Sequence, residues 1–510
     1  MLTKAPEKVD KTEKNEETKA HEPLKDKKNL KFFKKLEVNK KILNDRMAAT
    51  VSYDVKVREM NFAEKDTAFF YINGLIDSKS MTIIMNLLAK LKREEIVPDS
   101  LKHFLERYLT NLSVEKVKTF DEAIDKTLAG VILLLIEDED IGLMIDAREY
   151  PGRNPDEPDI ERVVRGSRDG FVENIVVNTA LTRRRIRDER LRMEMMQVGT
   201  RSKTDVCISY IKDIADPGLV HLLKEKIQEI EIDGVPMAEK TIEEFIMGKN
   251  WNPFPMVRYT ERPDVAASHL LEGHVLVFVD TSPSIMITPT TFFHHVQHAE
   301  EFRQKPMVGA YLRWVRFFGI FSSLFLLPLW MFFALHQNYL PPSLNFIGPS
   351  KIGHIPLFLQ FIFAEIGTDL MRLAAVHTPA PLATAMGLVA AVMVGEVAMK
   401  AGIFVPETIL YLAVAAIGTF ATPSYELSLA NRITRLVLLL TTYLFGVPGF
   451  MITTTLLLVV LASTTSLNTP YLWPFIPFNW PALKNIIIRP SIPSMKKRPS
   501  IVHPLNDKRT

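Results

Sequence analysis

Five ionisable residues stand inside otherwise apolar sequence. Glu365, Asp369 and Arg372 lie within Ile355–Leu373 at spacings of four and three, which puts all three near one helical face. Glu396 and Lys400 are four apart, in the order that favours a helical ion pair. A charge at membrane depth costs at least about 2.5–3.5 kcal/mol on insertion scales, so such groups face protein or water. One reading makes Glu365, Asp369 and Glu396 pore or gate residues on a hydrophilic path. The other places Asp369 at an interface, paired with Arg372.

Arginines form a second group. Arg162, Arg165 and Arg168 surround a glycine-containing turn, and a helix expected from Phe171 carries Arg183, Arg184, Arg185, Arg187, Arg190 and Arg192. Asp188, Glu189 and Glu194 interleave with them, which suits a salt-bridged surface or subunit contact better than nucleic acid. Arg162, Arg165, Arg168, Arg183, Arg184 and Arg187 are therefore the assembly candidates. The net charge of +3 adds no argument for a nucleic-acid partner.

His294, His295 and His298 have metal-like spacing but form an incomplete ligand set, and read as interfacial or capping residues. The lone Cys207 forbids an intrachain disulfide and suits a reducing compartment. No Walker-type loop, Gly-x-Gly-x-x-Gly, cysteine pair or Gly-x-Ser-x-Gly elbow occurs. The expectation is a protein without enzymatic chemistry, cofactor or metal.

The elements that position these residues fall into two parts. Residues 1–44 read as a disordered basic tail with no apolar signal-peptide core. A first domain spans 45–150, with a strand at Phe69–Asp77, a helix capped by Ser78 or Ser80, and a hairpin around Glu137–Asp140. Residues 151–194 form a linker and the arginine-rich helix. A second domain, 195–300, alternates strands (Thr204–Tyr210, Gly273–Val279) with helices (Pro217–Glu229, Val235–Met247, Pro263–Leu271). Both domains read as α/β or α+β, the alternation favouring α/β.

Residues 301–463 read as an all-α polytopic membrane domain. Trp314–Leu335 is long enough to cross about 30 Å of hydrocarbon, and Arg303, Lys305, Arg313 and Arg316 place its start on the cytoplasmic side. Leu382–Ala401 carries a small-residue seam, Ala383, Gly387, Ala391 and Gly395, suited to close helix packing. Thr408–Thr422 is short and is the candidate for a re-entrant segment; Leu436–Ala462 is long but interrupted by Gly446, Pro448 and Gly449. Five spans would leave the C-terminus outside, whereas the Pro-rich basic tail, 464–510, argues for inside. Four spans plus one re-entrant segment reconcile the two.

Longer motifs add a resemblance. Asn154–Pro158 with Arg162–Glu173, Gly273–Gln297 and Ala421–Leu427 resemble the A subunits of spore germinant receptors, over roughly residues 60–490. His377–Leu382 and Glu396 look most like the stage V sporulation protein AF branch of that family. The resemblance implies a multi-pass protein of the spore inner membrane with its N-terminal domains on the cytosolic side. It further implies a homo-oligomeric, pentameric, ion-channel-like assembly acting with other germination membrane proteins. Direct germinant binding is not expected of the AF branch. The alternative is a non-conducting scaffold or receptor subunit that organises those proteins.

Overall fold

The structure, a computed structural model, describes residues 30–90, 113–149, 161, 163, 165–249, 251–350, 353–377, 387 and 396–509. Its N-terminal half contains two five-stranded sheets. In the first, β1 (Val55–Phe62), β2 (Lys65–Ile72), β3 (Ser113–Val117), β4 (Ile132–Ile136) and β5 (Gly142–Asp146) take the order β1-β2-β4-β5-β3. Every neighbouring pair is antiparallel. The central strand β4, Ile-Leu-Leu-Leu-Ile, is buried throughout, as expected of a strand covered on both faces. Helices α1 (Leu36–Met47) and α3 (Phe120–Leu128) pack against Phe70, Leu133 and Leu135 on one face. Helix α2 (Ser78–Ala89) packs against Phe69, Ile132 and Leu134 on the other.

The second sheet repeats this plan. Strands β6 (Leu191–Val198), β7 (Thr204–Ile211), β8 (Arg258–Thr260), β9 (Val275–Val279) and β10 (Ile285–Thr288) run in the order β6-β7-β9-β10-β8, again all antiparallel. Helix α4 (Ile175–Arg185) precedes this sheet as α1 precedes the first. Helices α5 (Pro217–Gln228) and α6 (Ala238–Met247) cover one face, and α4 and α7 (Pro263–Glu272) the other. Alternation along β9 decides which residue serves which layer: Val275, Val277 and Val279 face α5, while Leu276 and Phe278 face α7.

Several expected boundaries change. Antiparallel pairing in both sheets makes the class α+β, where the alternation of strands and helices favoured α/β: β1–β2, β4–β5, β6–β7 and β9–β10 are hairpins, and the remaining neighbours pair antiparallel across longer connections. The expected tail 1–44 gives way to folded chain from residue 30: Phe32, Leu36, Leu43 and Met47 are core residues, and the Glu137 carboxylate accepts the Leu36 N–H. The arginine-rich segment is not one helix. It ends at Arg185, and Arg192 lies in β6, so α4 and β6 belong to the second domain. Asp77, not Ser78 or Ser80, caps α2 by accepting from the backbone N–H groups of Lys79 and Ser80.

Two short helices, α8 (Phe292–Val296) and α9 (Ala299–Arg303), lead into the apolar helices α10 (Pro306–Leu335), α11 (Leu357–His377), α12 (Pro406–Phe420) and α13 (Tyr425–Ser463). Two of these, α10 and α13, are long and apolar enough to cross a membrane. Gly319 meets Gly418 and Trp330 stacks on Tyr411, so α10 and α12 run antiparallel. A Cβ on Gly418 would fall on the Gly319 carbonyl, so the approach needs glycine.

Helix α13 is two arms. Gly446 adopts φ 60°, ψ −135°, outside the helical region. Thr453 hydrogen-bonds Thr441 at 2.9 Å, and Leu457 and Leu461 share a cluster with Leu427 and Ala430. The chain therefore folds back on itself at Gly446. Thr408–Thr422, the candidate for a re-entrant segment, forms most of the single helix α12 beside α10. The tail 464–510 is no loose extension: helix α14 (Trp480–Ile487) and the buried Ile501 and Val502 pack back onto the protein.

Candidate functional site

The charged residues of the apolar helices converge at one place. Glu365, on α11, is almost completely buried and lies 2.7 Å from Arg435 and 3.3 Å from Arg432, both on the first arm of α13. Arg432 also pairs with Asp369, one turn along α11 and half-exposed, and Arg435 donates to the Ser323 carbonyl of α10. Stacking of Phe358 on Tyr443 aligns the two helices antiparallel, so the i, i+4 carboxylates meet arginines three apart. The interface pairing expected between Asp369 and Arg372 is therefore not formed. The Arg372 guanidinium lies over the Phe420 ring instead.

A buried ion pair persists only when its charges are matched and hydrogen-bonded. Here two guanidinium groups face two carboxylates, so the cluster is balanced, and it ties α10, α11 and α13 together. Glu396 lies apart from it, exposed and paired to Lys400 at 2.6 Å as its spacing implied. In the expected small-residue seam, Ala383, Ala391 and Gly395 lie outside the described residues. A Cβ on Gly387 would meet nothing within 4 Å. The close glycine contact is at Gly319 and Gly418, a signal legible as Gly319-x-x-x-Ser323 but not singled out.

A second cluster joins the second domain to the helices. Glu301, on α9, is fully buried and pairs with Arg313 at 2.7 Å and with Arg316, near the start of α10. Arg313 also donates to the Asn485 and Ile486 carbonyls of α14. At the other end of the bundle's chain, Ser466 donates to the Met256 carbonyl and accepts the Thr290 N–H. The second domain thus holds both the beginning and the end of the helical region.

Beside this junction, the His269, His274 and His294 rings pack with centroids 5.0–6.0 Å apart. Burial pushes His274 down to about 4 and His295 to about 3. Burial, then the neighbouring histidines and Arg258, hold His269 and His294 well below the ordinary range. Among the described residues, no three His, Cys, Asp or Glu side chains converge to hold a metal. His298 caps α9 by accepting the Glu300 N–H, and His294 completes a capping box with Thr291, the capping role the sequence suggested. A cavity of about 470 Å³ lies between α7, α9 and the C-terminal segment, lined among others by Arg258, Phe302, Arg303, Arg498 and Arg509. Its arginines are engaged within the protein, Arg303 with Asp264 and Arg509 with Glu272.

The assembly candidates scatter. Arg183 is buried in the chain's own interior, bonded to Asp54, so it serves intramolecular packing and offers no surface to a partner. Arg187 is exposed and donates to the Arg184 carbonyl. Arg165 and Arg168 are exposed, and Arg162 lies outside the described residues. The residues that do bridge the parts, Glu301, Arg313 and Arg316, were not singled out as a site; a carboxylate twelve residues before an arginine carries no periodic signal.

Comparison with known proteins places this architecture. Residues 41–501 match the Bacillus/Clostridium GerA spore germination protein family. The chain is 55% identical to stage V sporulation protein AF of Bacillus subtilis (strain 168), over 92% of this chain and 95% of that protein. It is 32% identical to spore germination protein GerLA of Bacillus cereus, over 88% and 92%. The crystal structure of the N-terminal domain of the A subunit of the Bacillus megaterium spore germinant receptor GerK3 aligns with 52% of this chain and 99% of its own. That alignment has 25% identity and a TM-score of 0.42. With residues 41–501 matched to that family and 55% identity to one relative over 92% of its length, the chain belongs to the GerA family of spore germination proteins.

Proposed function

We propose that the chain is one subunit of a homo-oligomeric, channel-like assembly in the spore inner membrane that passes ions during germination, with no enzymatic step. The observation that carries this reading is the Glu365–Arg435–Arg432–Asp369 chain of charge within apolar helices, ending at a half-exposed carboxylate. Charged groups in such a setting mark ion paths more often than packing alone explains. The exposed Glu396–Lys400 pair supports an oligomer, since a second copy or a shared aqueous axis would solvate it.

In this reading α10, α11, α12 and both arms of α13 cross the bilayer. The fold-back at Gly446 returns the chain to the side on which α13 begins. It thereby supports a C-terminus on the cytosolic side with the N-terminal domains, as the basic tail suggests. A pentamer acting with other germination membrane proteins is the assembly that receptor A subunits suggest. Purified protein in liposomes should release cations, and Asp369→Asn should alter that flux. Absence of flux under every trigger, with the protein correctly inserted, would remove the conducting role.

A second reading rests on the same cluster. Glu365 is engaged by two arginines of its own chain, which suits a structural lock in a non-conducting scaffold. Under it, Asp369→Asn would leave germination intact and disruption of the Glu301 junction would abolish it.

A further inference from the structure

Residues 471–483, Tyr-Leu-Trp-Pro-Phe-Ile-Pro-Phe-Asn-Trp-Pro-Ala-Leu, contain no charged side chain. The segment is not hidden in the fold. Phe475 and Ile476 are half-exposed, Phe478 is 66% exposed and Trp480 61%, and Ile488 beyond α14 is also exposed. Their neighbours are fixed: Tyr471, Trp473, Leu483 and Ile486 are buried. The loop is a built structure, since the Asn479 N–H donates to the Pro474 carbonyl and the Asn479 side chain caps α14 through Ala482. A rigid loop thus holds several large apolar side chains outward, which marks a contact surface.

We propose that Phe475, Ile476, Phe478 and Trp480 form an interfacial anchor that sits in the lipid headgroup boundary beside α10. The inference rests on the membrane reading above. Three observations favour lipid as the occupant. The anchor is continuous with the apolar helices: Arg313 holds the Asn485 and Ile486 carbonyls, and Trp473 and Ile486 pack with Phe317 of α10. At the same end of α10, Tyr311, Trp314 and Phe318 are also exposed, so aromatic side chains gather where interfacial belts form. Pro474, Pro477 and Pro481 carry no backbone N–H, which reduces the cost of placing an irregular loop among headgroups. Lys484, Lys496 and Lys497 follow in sequence and are exposed, with the sign that anionic headgroups attract.

Cys207 is fully buried, so single new cysteines can be labelled selectively in the full chain. Phe478→Cys, Trp480→Cys and Leu456→Cys, the last exposed on the second arm of α13, would each carry a nitroxide in phosphatidylcholine–phosphatidylglycerol vesicles. Collision rates with oxygen and with a water-soluble nickel complex then report depth. The expected result is oxygen-dominated relaxation at 478 and 480, shallower than at 456. Nickel-dominated relaxation at 478 and 480 with a deep signal at 456 would overturn the anchor and leave the membrane reading standing. Exclusion of both reagents at 478 and 480 would also overturn it, in favour of a neighbouring copy. Nickel-dominated relaxation at 456 would sink the membrane reading and the anchor with it.

Discussion

Arg183 of α4 and Asp54, just before β1, form a 2.8 Å ion pair across 129 positions of sequence, and both side chains are almost wholly buried. Arg183 also donates to the Asp188 and Leu191 carbonyls, so one guanidinium fastens the first domain to the strand that opens the second. Arg183→Ala would leave Asp54 buried without its partner. The expected loss is about 3–5 kcal/mol. Thermal unfolding of the full protein checks this, and Arg183→Met combined with Asp54→Leu should recover part of the loss.

Stability should fall as the medium turns acidic. His269, His274, His294 and His295 are held neutral in the folded protein, their proton affinity depressed by burial. The unfolded chain binds protons at these sites from about pH 6.5 downward, while folded His274 does so only near 4. Between those values the unfolded state holds more protons, so stability rises with pH there and is lost as pH falls. Each such histidine contributes about 1.4 kcal/mol per pH unit. The melting temperature at pH 5 should lie below that at pH 7.5, and His274→Asn should shrink the difference. An unchanged difference in that variant would refute the assignment.

Glu365 and Arg435 should act as a unit. Glu365→Gln leaves Arg435 only the Ser323 carbonyl, and Arg435→Gln leaves Glu365 to Arg432 alone, so each single change leaves the buried cluster with one uncompensated charge. The double variant should be less destabilised than the sum of the two, by about 0.5–3 kcal/mol. A double-mutant cycle on thermal stability in detergent reads this directly. Additive effects would show that the two groups are uncoupled.

Two glycines one might treat alike should behave oppositely. A Cβ on Gly449 would fall on the Thr441 carbonyl of the facing arm, so Gly449→Ala should cost about 1–3 kcal/mol through overpacking. Gly367, on α11, has nothing within 4 Å of a Cβ. Gly367→Ala should be neutral or stabilise the helix by about 0.5–1 kcal/mol. Paired melting curves separate the two cases.

Local patterns read well from the sequence. The helices at Pro217 and Pro263 and the hairpin around Glu137–Asp140 form where periodicity and turn residues put them, whereas the strand expected at Phe69–Asp77 runs earlier, over Lys65–Ile72, and Asp77 caps α2. The Glu396–Lys400 pair also forms as read, because a helix fixes the i, i+4 geometry. What escaped depends on distance in sequence. Helix α1 looks like a basic tail because its apolar positions are sparse; they matter only against Phe120 and Leu133, some eighty to a hundred residues on. Strand direction was out of reach for the same reason. Arg432 stands 67 residues from its partner Glu365, which read alone suggests a hydrophilic path, since helix-to-helix pairing has no period. Gly446 and Gly449 were recognised as interruptions, but a kink and a full reversal share the same residues.

The reversal at Gly446 also bears on mechanics. Because the chain returns to Ser466 on the domain that grips Arg313 through Glu301, that domain holds the helical bundle by two separate grips. A single tether would let the domain swing freely and transmit only tension. Two grips make it a lever: any rocking of the second domain must be matched by shear between α10 and the returning arm of α13.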